Sequence, residues 1–125
     1  MPKTAKDMIM AARARVENLS AEQVATELGG ALLVDLREAD ELGKEGAIAG
    51  AVHVPRGLLE FAADPTSPAH RAEFATGGRV ILYCASGGRS ALAAATLKDL
   101  GYERVAHLDG GFKAWKDQGR PVERK

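Results

Sequence analysis

The segment Tyr83-Cys84-Ala85-Ser86-Gly87-Gly88-Arg89-Ser90 concentrates the residue types that nucleophilic sulfur chemistry needs. Cys84 is the only cysteine among 125 residues, and a cysteine becomes a nucleophile when its surroundings favour thiolate over thiol. Gly87 and Gly88 permit the positive-φ conformations that curl a loop, so that successive backbone N–H groups from Ala85 to Ser90 converge as an anion-binding nest. Arg89 adds a full positive charge, and a helix opening near Ser90 adds the positive end of its dipole. Together these predict that Cys84 ionises below the free-cysteine value of about 8.5. The bland alternative is a small buried hydrophobe at a strand end. A core cysteine has no need of two glycines, an arginine and a run of small residues after it, so the flanking sequence favours the reactive reading.

Such a loop has to be fed by a strand and drained by a helix. Val80-Ile81-Leu82-Tyr83 is a continuous apolar, β-rich run, and Ser90 to Leu100 is alanine-rich with Ala93, Leu97 and Leu100 on one face. Leu32 to Val34, Val52 to Val54 and Val105 to Leu108 are further β-rich runs. Helical stretches are predicted for Lys6 to Val16, Glu38 to Leu42, Gly57 to Ala62, Pro68 to Phe74 and Phe112 to Gln118. Ser20 reads as the N-cap of another helix, with Gln23 completing a capping box, Leu19 and Val24 forming a hydrophobic staple, and Gly29-Gly30 ending it. Strands bounded by helices, with no two-residue hairpin turns, predict an α/β domain whose mostly parallel sheet is covered on both faces. In such sheets the functional crevice lies beyond the carboxyl ends of the strands. Asp35, Pro55, Cys84 and Asp109 each follow one run, so the topology predicts that all four reach one edge.

Composition narrows the function. With 17 Lys+Arg against 17 Asp+Glu, the chain lacks the surplus of positive charge that nucleic-acid binding draws on. A single cysteine excludes an intrachain disulfide and a Cys-x-x-Cys redox pair, and His53, His70 and His107 show no ligand spacing, so no metal site is predicted. No apolar run approaches the length of about 18 residues that a membrane span needs, and Met8 to Ala12 is too short for a signal core. A reducing cytosol is the default compartment, one that keeps a lone thiol available. The size fits one domain. Residues 16 to 125 are assigned to it and residues 1 to 15 to an N-terminal helical extension.

Cys84-Ala85-Ser86-Gly87-Gly88-Arg89-Ser90 resembles the active-site loop of the rhodanese (thiosulfate sulfurtransferase) domain family, single-domain type, whose pattern is Cys-x-x-Gly-x-Arg/Thr, commonly followed by Ser. Leu33-Val34-Asp35-Leu36-Arg37-Glu38 is similar to its Asp-x-Arg motif, and Gly46 to Ala51 with His53 and Pro55 to its Gly-x-Ile-x-Gly-Ala segment. Leu108-Asp109-Gly110-Gly111-Phe112, Trp115, Gly119 and Pro121 resemble its C-terminal Gly-Gly-x-x-x-Trp signature. The four motifs occur in order over about residues 16 to 123.

The resemblance implies a three-layer rhodanese-like fold in which Cys84 accepts a sulfane sulfur from a small sulfur-containing anion such as thiosulfate. The persulfide then passes its sulfur to cyanide, a thiol, or a thioredoxin-like or sulfur-relay protein, with no cofactor. Ala85 to Ser90 would bind the anion, and Arg89 would attract it. Asp35, Arg37 and Asp109 read as supporting residues: Asp35 and Arg37 either reach the sulfur site or, the favoured reading, tie strand to loop, and Asp109 caps the last helix or bonds the neighbouring loop. Arg56 and the stretch from Leu58 to Phe74 are either a wall of the pocket or satellite core. Two alternatives stand beside the enzyme. One is a non-catalytic binding or regulatory module. The other is a phosphatase or arsenate reductase relative, whose loop runs one residue longer than the six from Cys84 to Arg89.

Overall fold

Side-chain alternation along the strands sorts the core into two layers. In a computed structural model, which describes residues 2–124, Val34, Val80, Leu82 and Val105 serve one face of a sheet, while Leu33, Ile81, Tyr83, Ala106 and Leu108 serve the other. The strands are β1 (Glu17–Leu19), β2 (Ala31–Asp35), β3 (Val52–His53), β4 (Arg79–Tyr83) and β5 (Val105–Leu108). They run in the order β1-β5-β4-β2-β3, and every neighbouring pair is parallel. The helices are α1 (Ala5–Arg15), α2 (Ala21–Glu27), α3 (Ala39–Glu45), α4 (Leu59–Ala63), α5 (Gly88–Asp99) and α6 (Gly111–Asp117). α1, α4 and α5 contribute to the first layer; α2 and α6 contribute to the second through Val24, Phe112 and Trp115. The α/β architecture expected from the alternating runs is therefore present, and Asp35, Pro55, Cys84 and Asp109 all leave the carboxyl edge of the sheet.

Local sequence explains several boundaries. Ser20 accepts from the Gln23 N–H and Gln23 reaches back to the Ser20 N–H, completing the capping box of α2. α1 starts on the same device, built from Thr4 and Asp7. Three expectations need correction. Residues 17–19 form β1, which carries too little apolar periodicity to announce itself and exists by pairing with β5. Pro68 to Phe74 is not a helix: turns cover its first part, and only a 3₁₀ helix forms, over Ala72–Thr76. The stretch from Gly57 begins as a 3₁₀ turn, Arg56–Leu58, before α4 takes over. Within this region Leu59 and Phe74 are core, whereas Leu58 and Phe61 are exposed.

A buried ion pair fixes the sheet's carboxyl edge. Arg37 donates from Nε and Nη2 to the two carboxylate oxygens of Asp35, at 3.0 and 2.7 Å, and Nη2 also reaches the Gly46 carbonyl at 2.8 Å. Both side chains are about 1% exposed. Tyr83 donates its hydroxyl to Asp35 at 2.6 Å and accepts from the Ile48 N–H at 3.1 Å. Burial, with Asp35 beside it, raises the Tyr83 pKa and keeps the phenol un-ionised. The guanidinium lies 4.3 Å from the Phe112 ring centre. Arg37→Ala would strand the Asp35 carboxylate in the core and is expected to destabilise the fold by about 3–5 kcal/mol, measured by urea unfolding. Arg37→Lys should recover only part of the loss, because an ammonium cannot reproduce the bidentate fork.

Candidate active site

Cys84 follows the last residue of β4 and is buried at 1% exposure. Its carbonyl accepts from the Phe112 N–H at 2.8 Å, and the Ala85 carbonyl from the Lys113 N–H at 3.0 Å, so the opening turn of α6 grips the start of the loop. α5 begins only at Gly88, and the N–H groups of Gly88, Arg89 and Ser90 are first-turn donors without an intrahelical acceptor. Two glycines make this packing possible. Gly87, the N-cap of α5, has φ +106°, and a Cβ on it would collide with the Asp109 carbonyl. Gly111 has φ +67°, and a Cβ there would lie 2.6 Å from the Ser86 nitrogen. Two backbone segments thus meet where no side chain fits.

The sulfur sits at the end of a hydrogen-bonded row. The Gly87 N–H donates to Cys84 Sγ at 3.2 Å, and the thiol lies 3.6 Å from Ser90 Oγ. Ser90 Oγ is 2.8 Å from His107 Nδ1, and His107 Nε2 is 2.7 Å from Asn18 Oδ1. Asn18 Nδ2 in turn donates to the carbonyls of Arg13 and Val16. Ser90 and His107 are fully buried. Burial is the main reason the His107 pKa is pushed down to about 4. The sequence offered a weak signal for this row: one histidine interrupts an otherwise apolar strand, β5, whose end adjoins the loop.

Arg89 is close to the sulfur but not free. Its two terminal nitrogens each donate to Glu41 of α3 at 2.9 Å. That contact holds Glu41 down at about 2 and, with Cys84 contributing, lifts Arg89 above its usual value. The isolated positive charge expected from the sequence is therefore largely answered by Glu41. Asp109 also departs from expectation. It caps nothing, since the N-cap of α6 is Gly110 with no side-chain bond; instead it pairs with Arg13 of α1 at 3.0 Å. Asp35 and Arg37 act on the architecture, as described above, although Arg37 lines, with Glu41, Lys44, Ala85, Phe112 and Lys113, a cavity of about 430 Å³ beside the loop. Among the described residues no group of three or more His, Cys, Asp or Glu side chains is placed to hold a metal ion. Nor is any described helix long and apolar enough to cross a membrane.

Comparison with known proteins bears on the family and the fold. Residues 20–118 match the family model described as Rhodanese-like domain. The chain is 37% identical over 106 residues to a sulfurtransferase of Allochromatium vinosum, covering 85% of this chain and 89% of that protein. It is 31% identical over 120 residues to thiosulfate sulfurtransferase 16, chloroplastic, of Arabidopsis thaliana, covering 91% and 99%. A solved structure from Rhodopseudomonas palustris, described as a protein of unknown function and possible tyrosine phosphatase, matches with TM-score 0.92 at 38% identity, covering 98% of this chain and 99% of that one.

The buried histidine gives stability a pH dependence of definite sign. The unfolded chain takes up this proton near 6.5 and the folded chain only near 4. Between those values the unfolded state binds more protons, so stability rises with pH across the window. On going from pH 7 to pH 5, His107 is expected to remove about 2 kcal/mol, read as a fall in the urea midpoint. His107→Asn should flatten that part of the slope.

Proposed function

The chain belongs to the rhodanese-like domain family, and on that premise we propose that it is a sulfurtransferase carrying sulfane sulfur as a persulfide on Cys84. The observation that carries the reading is the lone cysteine at the head of α5, receiving the Gly87 N–H on its sulfur. The thiolate attacks the outer sulfur of thiosulfate, a new S–S bond forms, the old one breaks, and sulfite leaves with the bonding pair. The persulfide anion then lies against the Gly87 N–H and the first-turn donors of α5, which stabilise it without reorganising. In the second half-reaction cyanide or a thiolate attacks the terminal sulfur and the Cys84 thiolate departs. These 125 residues contain no second cysteine to resolve the persulfide as a disulfide. The sulfur therefore has to leave to an outside nucleophile: a small thiol, a thioredoxin-like protein or a sulfur-relay partner.

A tyrosine phosphatase reading would ask the loop to surround a tetrahedral phosphate. The six residues from Cys84 to Arg89 form a shorter loop than phosphatases of this fold use, which supports attack on sulfur instead. A non-catalytic module would keep the fold without loading.

Incubation with thiosulfate is expected to add about 32 Da, one sulfur atom, at Cys84, reversed by cyanide. Cys84→Ser should abolish both loading and transfer while leaving thermal unfolding nearly unchanged. A reduced Cys84 that gains no mass would favour the non-catalytic module, and turnover of an aryl phosphate dependent on Cys84 would favour the phosphatase. The Arg89–Glu41 pair predicts opposite effects on donor binding. Arg89→Ala should raise the thiosulfate KM, and Glu41→Gln, which frees the guanidinium, should lower it by about two- to fivefold.

A further inference from the structure

We propose that His107 is a positioning residue for Cys84: acting through Ser90, it takes up the thiol proton and leaves the thiolate facing a hydroxyl donor. The inference deepens the sulfur-transfer reading and rests on it for its biological purpose, but the proton path follows from the hydrogen bonding alone.

The direction of each bond is fixed from the outer end inward. Asn18 Nδ2 donates to two backbone carbonyls, Arg13 at 3.0 Å and Val16 at 3.2 Å. The atom Asn18 turns to His107 is therefore its carbonyl oxygen, which can only accept, so His107 Nε2 carries the hydrogen. A neutral ring protonated at Nε2 has a bare Nδ1, and the 2.8 Å contact with Ser90 is a hydroxyl donating to it. The Gly87 carbonyl, 3.3 Å from Ser90 Oγ, is the other acceptor for this hydrogen; on the shorter contact it goes to His107, and Ser90 then offers the sulfur a lone pair, to which the Cys84 S–H donates. Transfer then conserves atoms and charge. The S–H bond breaks as a new Ser90 O–H forms, the original O–H breaks as Nδ1–H forms, and thiol plus imidazole become thiolate plus imidazolium. Ser90 ends the step with its hydrogen facing Sγ, beside the Gly87 N–H.

The charges around the row act in both directions. Asp109 Oδ1 lies 3.8 Å from His107 Nε2 and favours the imidazolium. Arg13 of α1 opposes it and is itself paired with Asp109 at 3.0 Å. On the sulfur side the charged group is Arg89 of α5, answered by Glu41 of α3. Burial leaves the resting ring neutral with Nδ1 bare but opposes the imidazolium, so the transfer depends on the negative charge that the thiolate gains as the proton leaves. The parallel β1–β5 register places Asn18 opposite His107, making the edge strand part of the device.

Alkylation of the single cysteine by iodoacetamide tests the path without any sulfur donor, so it is informative even if thiosulfate is never turned over. Ser90→Ala and His107→Asn are each expected to slow alkylation about tenfold or more at pH 7, with recovery toward the wild-type rate near pH 9.5, where hydroxide removes the proton directly. The double variant should react no more slowly than Ser90→Ala alone. Asparagine keeps an acceptor near the place of Nδ1 but cannot hold a proton. A folded His107→Asn that reacts at the wild-type rate at pH 7, or losses equal at both pH values, would overturn the proposal. Ring nitrogen NMR of the unmodified protein provides a check that needs no variant to fold: hydrogen on Nε2 and a bare Nδ1 are expected at pH 7, and hydrogen on Nδ1 would refute it.

Discussion

The Asp35–Arg37 pair is the constraint on which the carboxyl edge depends. Removing two charges from water is unfavourable unless each is met by a partner of matching geometry, and here every oxygen and fork nitrogen involved has a defined place. Asp35 is the last residue of β2, Tyr83 the last of β4, and Gly46 and Ile48 belong to the segment leading into β3. One guanidinium and one phenol therefore align the ends of adjacent strands. The same guanidinium lies over Phe112, whose N–H holds the Cys84 carbonyl. Electrostatic satisfaction in the core thus reaches the reactive loop in two steps, without Arg37 being bonded to the sulfur.

On that edge the loop is shaped chiefly by backbone. α6 binds the Cys84 and Ala85 carbonyls, α5 leaves its first N–H groups open, and Gly87 and Gly111 remove the side chains that would keep the segments apart. Fixed backbone dipoles would suit the proposed sulfur transfer, since they stabilise negative charge on a thiolate and on a persulfide alike. The pairing of Arg89 with Glu41 moderates the field, so that an anion at the loop would meet oriented N–H groups as much as a formal charge.

Much of this was legible in the sequence because it rests on local chemistry. The Ser20 and Gln23 capping box, the apolar runs of β2, β4 and β5, and the cysteine ahead of two glycines each depend on neighbours a few residues away. What escaped depends on distant partners. β1 has only Leu19 as a buried residue and is a strand because β5 lies beside it. Pro68 to Phe74 has polar helix-like composition but no face to bury along its length, and turn chemistry prevails. Asp109 looks like a cap until α1 brings Arg13 to it, and Arg89 looks like a free cation until α3 brings Glu41. His107 reads as an isolated polar residue until the sheet sets it between Asn18 and Ser90.

The matched family segment starts at residue 20, yet Asn18 and both carbonyls that orient its amide lie before it, as does the arginine that holds Asp109. The row that leads to the thiol thus joins residues inside the matched segment, Ser90 and His107, to residues that precede it. Residues upstream of a loop can therefore set the surroundings of its thiol with no change in the loop itself. The start of the matched segment is not a boundary of the hydrogen bonding.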